Sequence, residues 1–214
     1  MGQNGVESME QGKFIVLEGI DGSGKSSQIG PLVERLEGLG VPCRADREPT
    51  QRPVGVLIRQ ALTGQTPLDP RVIAALYAAD RLDHLVNDEN GLCAAIDKGI
   101  TVVSDRYYFS SYAYHSVDVD MEWVIGANSL SARLLRPTVT VFLDVTAEEA
   151  MARIRRNRDH EELFEKEGRL RRTRELYFQA FERLKDVEAV AVVDGSGTQE
   201  QVAQRIWSAV SPYF

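Results

Sequence analysis

The chain has 214 residues, 43% of them hydrophobic and 27% charged, with a formal net charge of −7. That length and balance suit one soluble globular domain with a real core. The acidic surplus argues against a nucleic-acid coat or a binder of anionic membranes, so neither partner is expected.

Residues 1–12, MGQNGVESMEQG, carry no apolar stretch of the secretory kind, and Val6 stands where a myristoylation site needs Ser or Thr. They read as a flexible tail ahead of a single domain over 13–214. The two cysteines, Cys43 and Cys93, are far apart in sequence and show no metal-ligand spacing. They read as buried free thiols in a reducing, cytoplasmic setting. No apolar run is long enough to span a membrane.

The first predicted strand is FIVLE, 14–18, and a predicted helix, 24–39, follows the loop after it. Gly19-Ile20-Asp21-Gly22-Ser23-Gly24-Lys25-Ser26 fits G-x-x-x-x-G-K-[ST] in the strand–loop–helix context that pattern requires. Glycines let the backbone wrap phosphates, and its N–H groups and the helix N-terminus favour negative charge. Lys25 can reach the β- and γ-phosphates, and the Ser26 hydroxyl can ligate Mg²⁺. Gly19 through Ser27 are therefore the candidate ATP-binding loop.

A weaker strand, 41–48, comes next, followed by helices 53–63 and 70–89. The strand ITVVSD, 100–105, runs into Arg106 and Tyr107. Helix 120–135, strand 138–144, helix 146–157, helix 162–185, strand 189–194 and helix 198–210 complete the chain. Four of the strands are apolar, short and rich in β-branched residues, as parallel strands covered on both faces are. Alternating strand and helix means an α/β sheet with right-handed crossovers and a ligand at the carboxyl ends of its strands. A GTPase would add N-K-x-D, which is absent, and Asp88-Glu-Asn-Gly91 follows a helix rather than a strand. A motor ATPase would end a strand in paired acids, and none of the four strong strands does. A small-molecule kinase remains.

Arg153, Arg155, Arg156 and Arg158 fall within six residues, ahead of an acidic stretch. A solvated charged face and a mobile lid over ATP, spanning about 153–166, are both open readings of this run. An arginine lid would lend cations to the transferring phosphoryl group.

Asp105-Arg106-Tyr107, Ser110 and Ala113-Tyr114 fit D-R-Y-x-x-S-x-x-A-Y. Together with FIVLEGIDGSGKSSQ, Arg47-Glu48-Pro49 and Leu76-Tyr77-Ala78-Ala79-Asp80-Arg81, they resemble the thymidylate kinases over most of residues 13–195. The resemblance implies a P-loop fold with a five-stranded parallel sheet, a homodimer, and transfer of the ATP γ-phosphate to dTMP in dTTP synthesis. It implies Arg81 and Arg106 on the acceptor phosphate, Tyr77 stacked on thymine, and Asp21 near the sugar 3′-hydroxyl and metal. It places Tyr114 beneath the sugar, with Glu48, Pro49, Ser110 and Ser111 also at the acceptor and His115 beside them. Some relatives carry Arg where this chain has Gly22; in those lacking it the lid supplies the charge, which favours Arg153 and Arg158 as catalytic cations and Arg155 and Arg156 beside ATP.

The acceptor chemistry is simple. A phosphate monoester has a second pKa of about 6, so the attacking oxygen is already anionic at neutral pH. Asp105 is then a metal-shell or Arg-orienting carboxylate rather than a general base. The alternatives are a kinase for thymidine or another monophosphate, where a hydroxyl acceptor would need that base, and a nucleotide-binding regulatory module without turnover.

Overall fold

A computed structural model of the chain describes residues 11–155 and 163–214. Its elements run β1 (Phe14–Glu18), α1 (Lys25–Glu37), β2 (Cys43–Arg47), α2 (Pro53–Leu62), α3 (Pro70–Val86), α4 (Leu92–Asp97) and β3 (Thr101–Asp105). They continue α5 (Tyr108–Tyr114), α6 (Met121–Leu134), β4 (Val139–Asp144), α7 (Ala147–Arg155), α8 (Leu163–Leu184), β5 (Val190–Asp194) and α9 (Gln199–Val210). Residues 1–10 of the expected tail lie outside the described residues. Gln11 and Gly12 are held to α4: Gln11 Nε2 donates to Asp97 Oδ1 at 3.0 Å and Gly12 N to the Ile96 carbonyl at 2.9 Å.

The five strands form one sheet in the order β2-β3-β1-β4-β5, and every pairing is parallel. Alternation along β1 divides the core. Phe14 and Val16 face a cluster with Phe142, Tyr108, Phe109 and the α8 residues Tyr177 and Phe181. Ile15 and Leu17 face the other way, onto Val103, Val141 and the apolar stripe of α1 and α9. All five β1 residues are buried, and each large apolar side chain so covered contributes about 1.5–3 kcal/mol. The outer strands differ from the reading of strands covered on both faces. β5 is an edge strand, and Val192 in it is 52% exposed. β2, at the other edge, alternates half-buried and exposed positions, which is why its apolar signal is weak. Cys43 and Cys93 are unbridged, as expected, but only half-buried.

Two helices escape the sequence reading. α4 is a single short turn and a half, LCAAID. α5, YFSSYAY, is built of aromatic and serine residues with little intrinsic helix preference. It forms because β1 caps it: the Glu18 carboxylate accepts from Tyr107 N at 2.9 Å and Ser110 N at 3.0 Å. These are donors at the start of the helix, where N–H groups lack i−4 carbonyls; Ser110 N shares its hydrogen with the Tyr107 carbonyl at 3.1 Å. Packing of Tyr108, Phe109 and Tyr112 into the aromatic cluster completes it.

Candidate active site

The site lies where β1 and β3 end side by side, with Leu17 in register with Asp105. The β1 loop turns into α1 through Gly24, whose left-handed backbone ends the loop without any side-chain cap. The N–H groups that open α1 thus face outward for an anion, while Ser27 N, at the end of the first turn, already donates to the Gly24 carbonyl at 3.2 Å. Gly22 also needs to be glycine. Its φ is +82°, and a Cβ there would meet the Ala150 carbonyl oxygen of α7 at 2.5 Å. This close approach explains why no arginine stands at this position.

Lys25 is 5% exposed and folds back over the loop. Its Nζ donates to the Gly19 and Ile20 carbonyls at 2.9 and 3.1 Å. Burial, and then the nearby Arg106 charge, push its pKa down to about 8. Ser26 Oγ donates to Asp105 Oδ2 at 2.5 Å, while Asp105 Oδ1 is buried with no hydrogen-bond partner. A hydroxyl and a carboxylate with a spare oxygen are a hard donor pair. No group of three or more His, Cys, Asp or Glu side chains able to hold a metal occurs among the described residues.

Arg106 is the one non-glycine residue with positive φ among the described residues, at 75°. That conformation costs about 1–2 kcal/mol for an L-residue. The kink turns the guanidinium back across β1. Nη2 pairs with the Asp21 carboxylate, and Nη1 donates to Ser110 Oγ at 2.8 Å and to the Gly19 carbonyl at 3.3 Å. The guanidinium also lies 4.8 Å over the Tyr114 ring. Tyr114 ties the two halves of the site together, because its hydroxyl accepts from Asp21 N at 2.8 Å and from Arg106 Nη2 at 3.3 Å. Partial desolvation works against the charge on Asp21, whose side chain is still 60% exposed, but the Arg106 and Lys25 cations outweigh it and hold its carboxyl below the usual range.

Beneath Arg106 lies a support that the sequence reading did not include. Glu18, fully buried, accepts from Ser110 Oγ at 2.6 Å and Tyr177 Oη at 2.8 Å. Burial raises its pKa even though Arg106 and these donors favour the charged form. Ser110 therefore accepts from Arg106 and donates to Glu18, and is 8% exposed. It positions the arginine and is not an open contact for a base. A carboxylate ending an otherwise apolar strand beside the loop was the available signal for Glu18; nothing in the sequence marks Tyr177. Replacing Tyr177 with Phe should cost about 1.5–3 kcal/mol in a urea melt, the worth of a bond to a charged group. An unchanged melt would mean that Glu18 does not need this donor.

Arg81 also departs from its expected place. It is 1% exposed, and Nη2 pairs with Glu48 Oε2 at 2.6 Å, while Nη1 bonds Ser111 Oγ at 3.0 Å and Asn128. A cation so enclosed is committed to the Glu48 loop and does not present itself beside Arg106 to a phosphate. Ser111, 1% exposed, is likewise turned inward onto Arg81. Pro49, next to Glu48, follows a cis peptide bond, and its carbonyl accepts from Arg59 Nη1 at 3.1 Å. The loop is held a second time by Asp80, which accepts from Thr50 N and Oγ1 at 2.8 and 2.6 Å. Tyr77 is half-buried with its ring 4.8 Å from that of His115. Burial pushes its phenol up to about 12, and burial followed by Arg81 pushes His115 down to about 4.

Arg153 on α7 reaches the phosphate loop itself. Its Nη1 donates to the Ser23 carbonyl at 3.1 Å, and Nη2 to the Gly195 carbonyl after β5 at 3.0 Å. Arg155 ends α7, and Arg156 and Arg158 lie outside the described residues.

The donor loop and the Asp105–Arg106 turn are therefore one constellation, while Glu48, Arg81 and Ser111 form a second, buried one behind the Tyr77 ring. A family model described as Thymidylate kinase matches residues 17–206. The chain is 34% identical over 204 residues to a thymidylate kinase of Synechococcus sp. (strain JA-2-3B'a(2-13)), covering 93% of this chain and 94% of that one. It is 35% identical over 209 residues to a thymidylate kinase of Syntrophotalea carbinolica, covering 92% and 94%. It is 38% identical over 192 residues to a probable thymidylate kinase of Pyrobaculum aerophilum, covering 89% and 92%.

Proposed function

The chain belongs to the thymidylate kinase family, and from that premise we propose that it transfers the γ-phosphate of ATP to the phosphate of dTMP, giving ADP and dTDP. The observation that carries the residue roles is the Arg106–Asp21 pair, which joins a cation from the β3 end to the phosphate loop of β1. An acceptor phosphate that engages Arg106 is thereby held against the donor.

In this reading the loop N–H groups and Lys25 bind the β- and γ-phosphates. Lys25 leaves the Gly19 and Ile20 carbonyls to do so, and the phosphates it meets favour its charged form and raise its depressed pKa. Arg106 gives the acceptor phosphate two parallel donors. Asp21 and Tyr114 steady that guanidinium and lie where the sugar would follow. The acceptor oxygen is already anionic, so Asp105 has no proton to remove. Its free oxygen and the Ser26 hydroxyl would hold Mg²⁺, with phosphate oxygens and water filling the remaining positions. When bound there, the ion would neutralise charge developing between donor and acceptor oxygens. Catalysis is then alignment and charge stabilisation.

Arg153 is the lid cation best supported by geometry, since it already touches the loop backbone. Arg155, Arg156 and Arg158 complete the proposed lid. We also propose a homodimer. It is supported by exposed Val56, Val72, Trp123 and Leu130 on α2, α3 and α6, helices that pack in sequence against one another. No helix among the described residues is long and apolar enough to cross a membrane, and the cytoplasm is the proposed location.

The test is ADP release with Mg-ATP against dTMP, dUMP, thymidine, dCMP and dGMP. Fast turnover with dTMP, slower with dUMP and none with thymidine is expected. Turnover with thymidine alone would overturn the phosphate-acceptor reading and make Asp105 a base. Tight ATP binding with no turnover would favour a regulatory module.

A further inference from the structure

His84 lies on α3, 6% exposed, beside the buried Glu48 constellation, with no role in the mechanism above. Its two ring nitrogens face two different carboxylates. Nε2 is 3.2 Å from Asp46 Oδ1 and Nδ1 is 3.3 Å from Glu48 Oε1. A neutral imidazole has one N–H and one lone pair, so one of these contacts would set a lone pair against an anion. Only the imidazolium donates to both.

The contacts continue in both directions. Arg44 Nη2 lies 3.2 Å from Asp46 Oδ2, and Arg81 Nη2 lies 2.6 Å from Glu48 Oε2. Arg44, Asp46, His84, Glu48 and Arg81 thus alternate in charge from the exposed edge strand to the buried acceptor side. The ring also borders a cavity of about 560 Å³ lined as well by Arg47, Arg52, Asn87, Ser26 and Asp105. Protons can exchange with solvent through it.

We propose that His84 is a positioning residue for the acceptor: as an imidazolium it clamps Glu48 between itself and Arg81, fixing the Glu48–Thr50 loop and leaving the ATP loop untouched. This rests on the kinase reading for what the loop positions. Burial alone would lower the ring's pKa, but the Asp46 and Glu48 carboxylates outweigh it and hold it up at about 9. The sign follows. A folded-state pKa raised above the ordinary 6.5 gives stabilisation that is complete below pH 6.5 and is lost as pH rises through 9.

The measurement is the imidazole carbon resonance of His84 in the full-length protein against pH, alongside KM for dTMP and for ATP. The expected result is a midpoint near 9 and a KM for dTMP that rises over the same range, while KM for ATP follows the Lys25 ammonium, which titrates at about 8, and is the same in the wild type and the His84 variants. His84→Gln should raise KM for dTMP about tenfold at pH 7, as loss of a charge-assisted bond does, and abolish its dependence on alkaline pH. Asp46→Asn, at a partly exposed position, should lower the midpoint toward 6.5 even if the Gln variant fails to fold. A His84 midpoint near 6.5 in the wild type, or a His84→Gln enzyme with wild-type KM, would overturn the clamp while leaving the kinase reading standing. A wild-type protein inert toward dTMP at every pH would overturn the kinase reading and the clamp's role in it together.

Discussion

Replacing Arg106 with alanine should lower kcat/KM for dTMP by about 10³-fold while KM for ATP stays within a few-fold. Two charge-assisted bonds to one phosphate are lost, each worth about 1.5–3 kcal/mol. Arg106→Lys should recover only a small part, because an ammonium is a point charge without the planar fork. The variant also removes the cation paired with the Asp21 carboxylate, so that carboxyl should titrate higher than in the wild type. Arg106→Gly separates backbone from charge. At a φ of 75° glycine is unstrained, so this variant should melt above Arg106→Ala while being just as inactive. Equal losses toward dTMP and ATP would take Arg106 out of the acceptor clamp.

Lys25→Met should reduce kcat by about 10²–10³-fold, the usual consequence of removing one donor aimed at transition-state charge. The unliganded protein should nevertheless melt at or above the wild-type temperature at pH 7. Lys25 is 5% exposed, and burial depresses its pKa to about 8, so the folded state disfavours the charge it carries. A lysine lowered in this way is a burden below pH 8, and the stability difference between the wild type and Lys25→Met should shrink as pH rises above it, until the unfolded chain deprotonates as well. Met keeps the apolar stem and removes the ammonium. Retained turnover would defeat the phosphate-loop assignment; lost turnover with a collapsed melt would show that Lys25 is needed to build the loop.

Much of the donor site is legible in the sequence because its geometry is local. The glycines, Lys25 and Ser26 lie within one strand–loop–helix unit, and chain connectivity alone places them. The same holds for the sheet, whose apolar runs and intervening helices follow from the periodicities of strand and helix. Of the two edge strands, β2 is the less legible, since its residues are only half covered and its hydrophobic signal fades, whereas β5 keeps an apolar run as clear as those of the central strands.

The acceptor side was decided by tertiary contact. Arg106 could be named from the sequence, but its aim depends on a left-handed backbone and on Glu18, Ser110 and Tyr177, which come from β1, α5 and α8. Arg81 reads as a helix cation free to meet a phosphate, yet it is enclosed by Glu48, Ser111 and Asn128. Helix α5 exists through a cap delivered by a residue about ninety positions away. Local sequence sets which groups are offered, because backbone preference and period act over a few residues. Which of them end up open to a ligand and which are spent on holding others is settled by burial, since a charge removed from water must find its partner wherever the fold brings one.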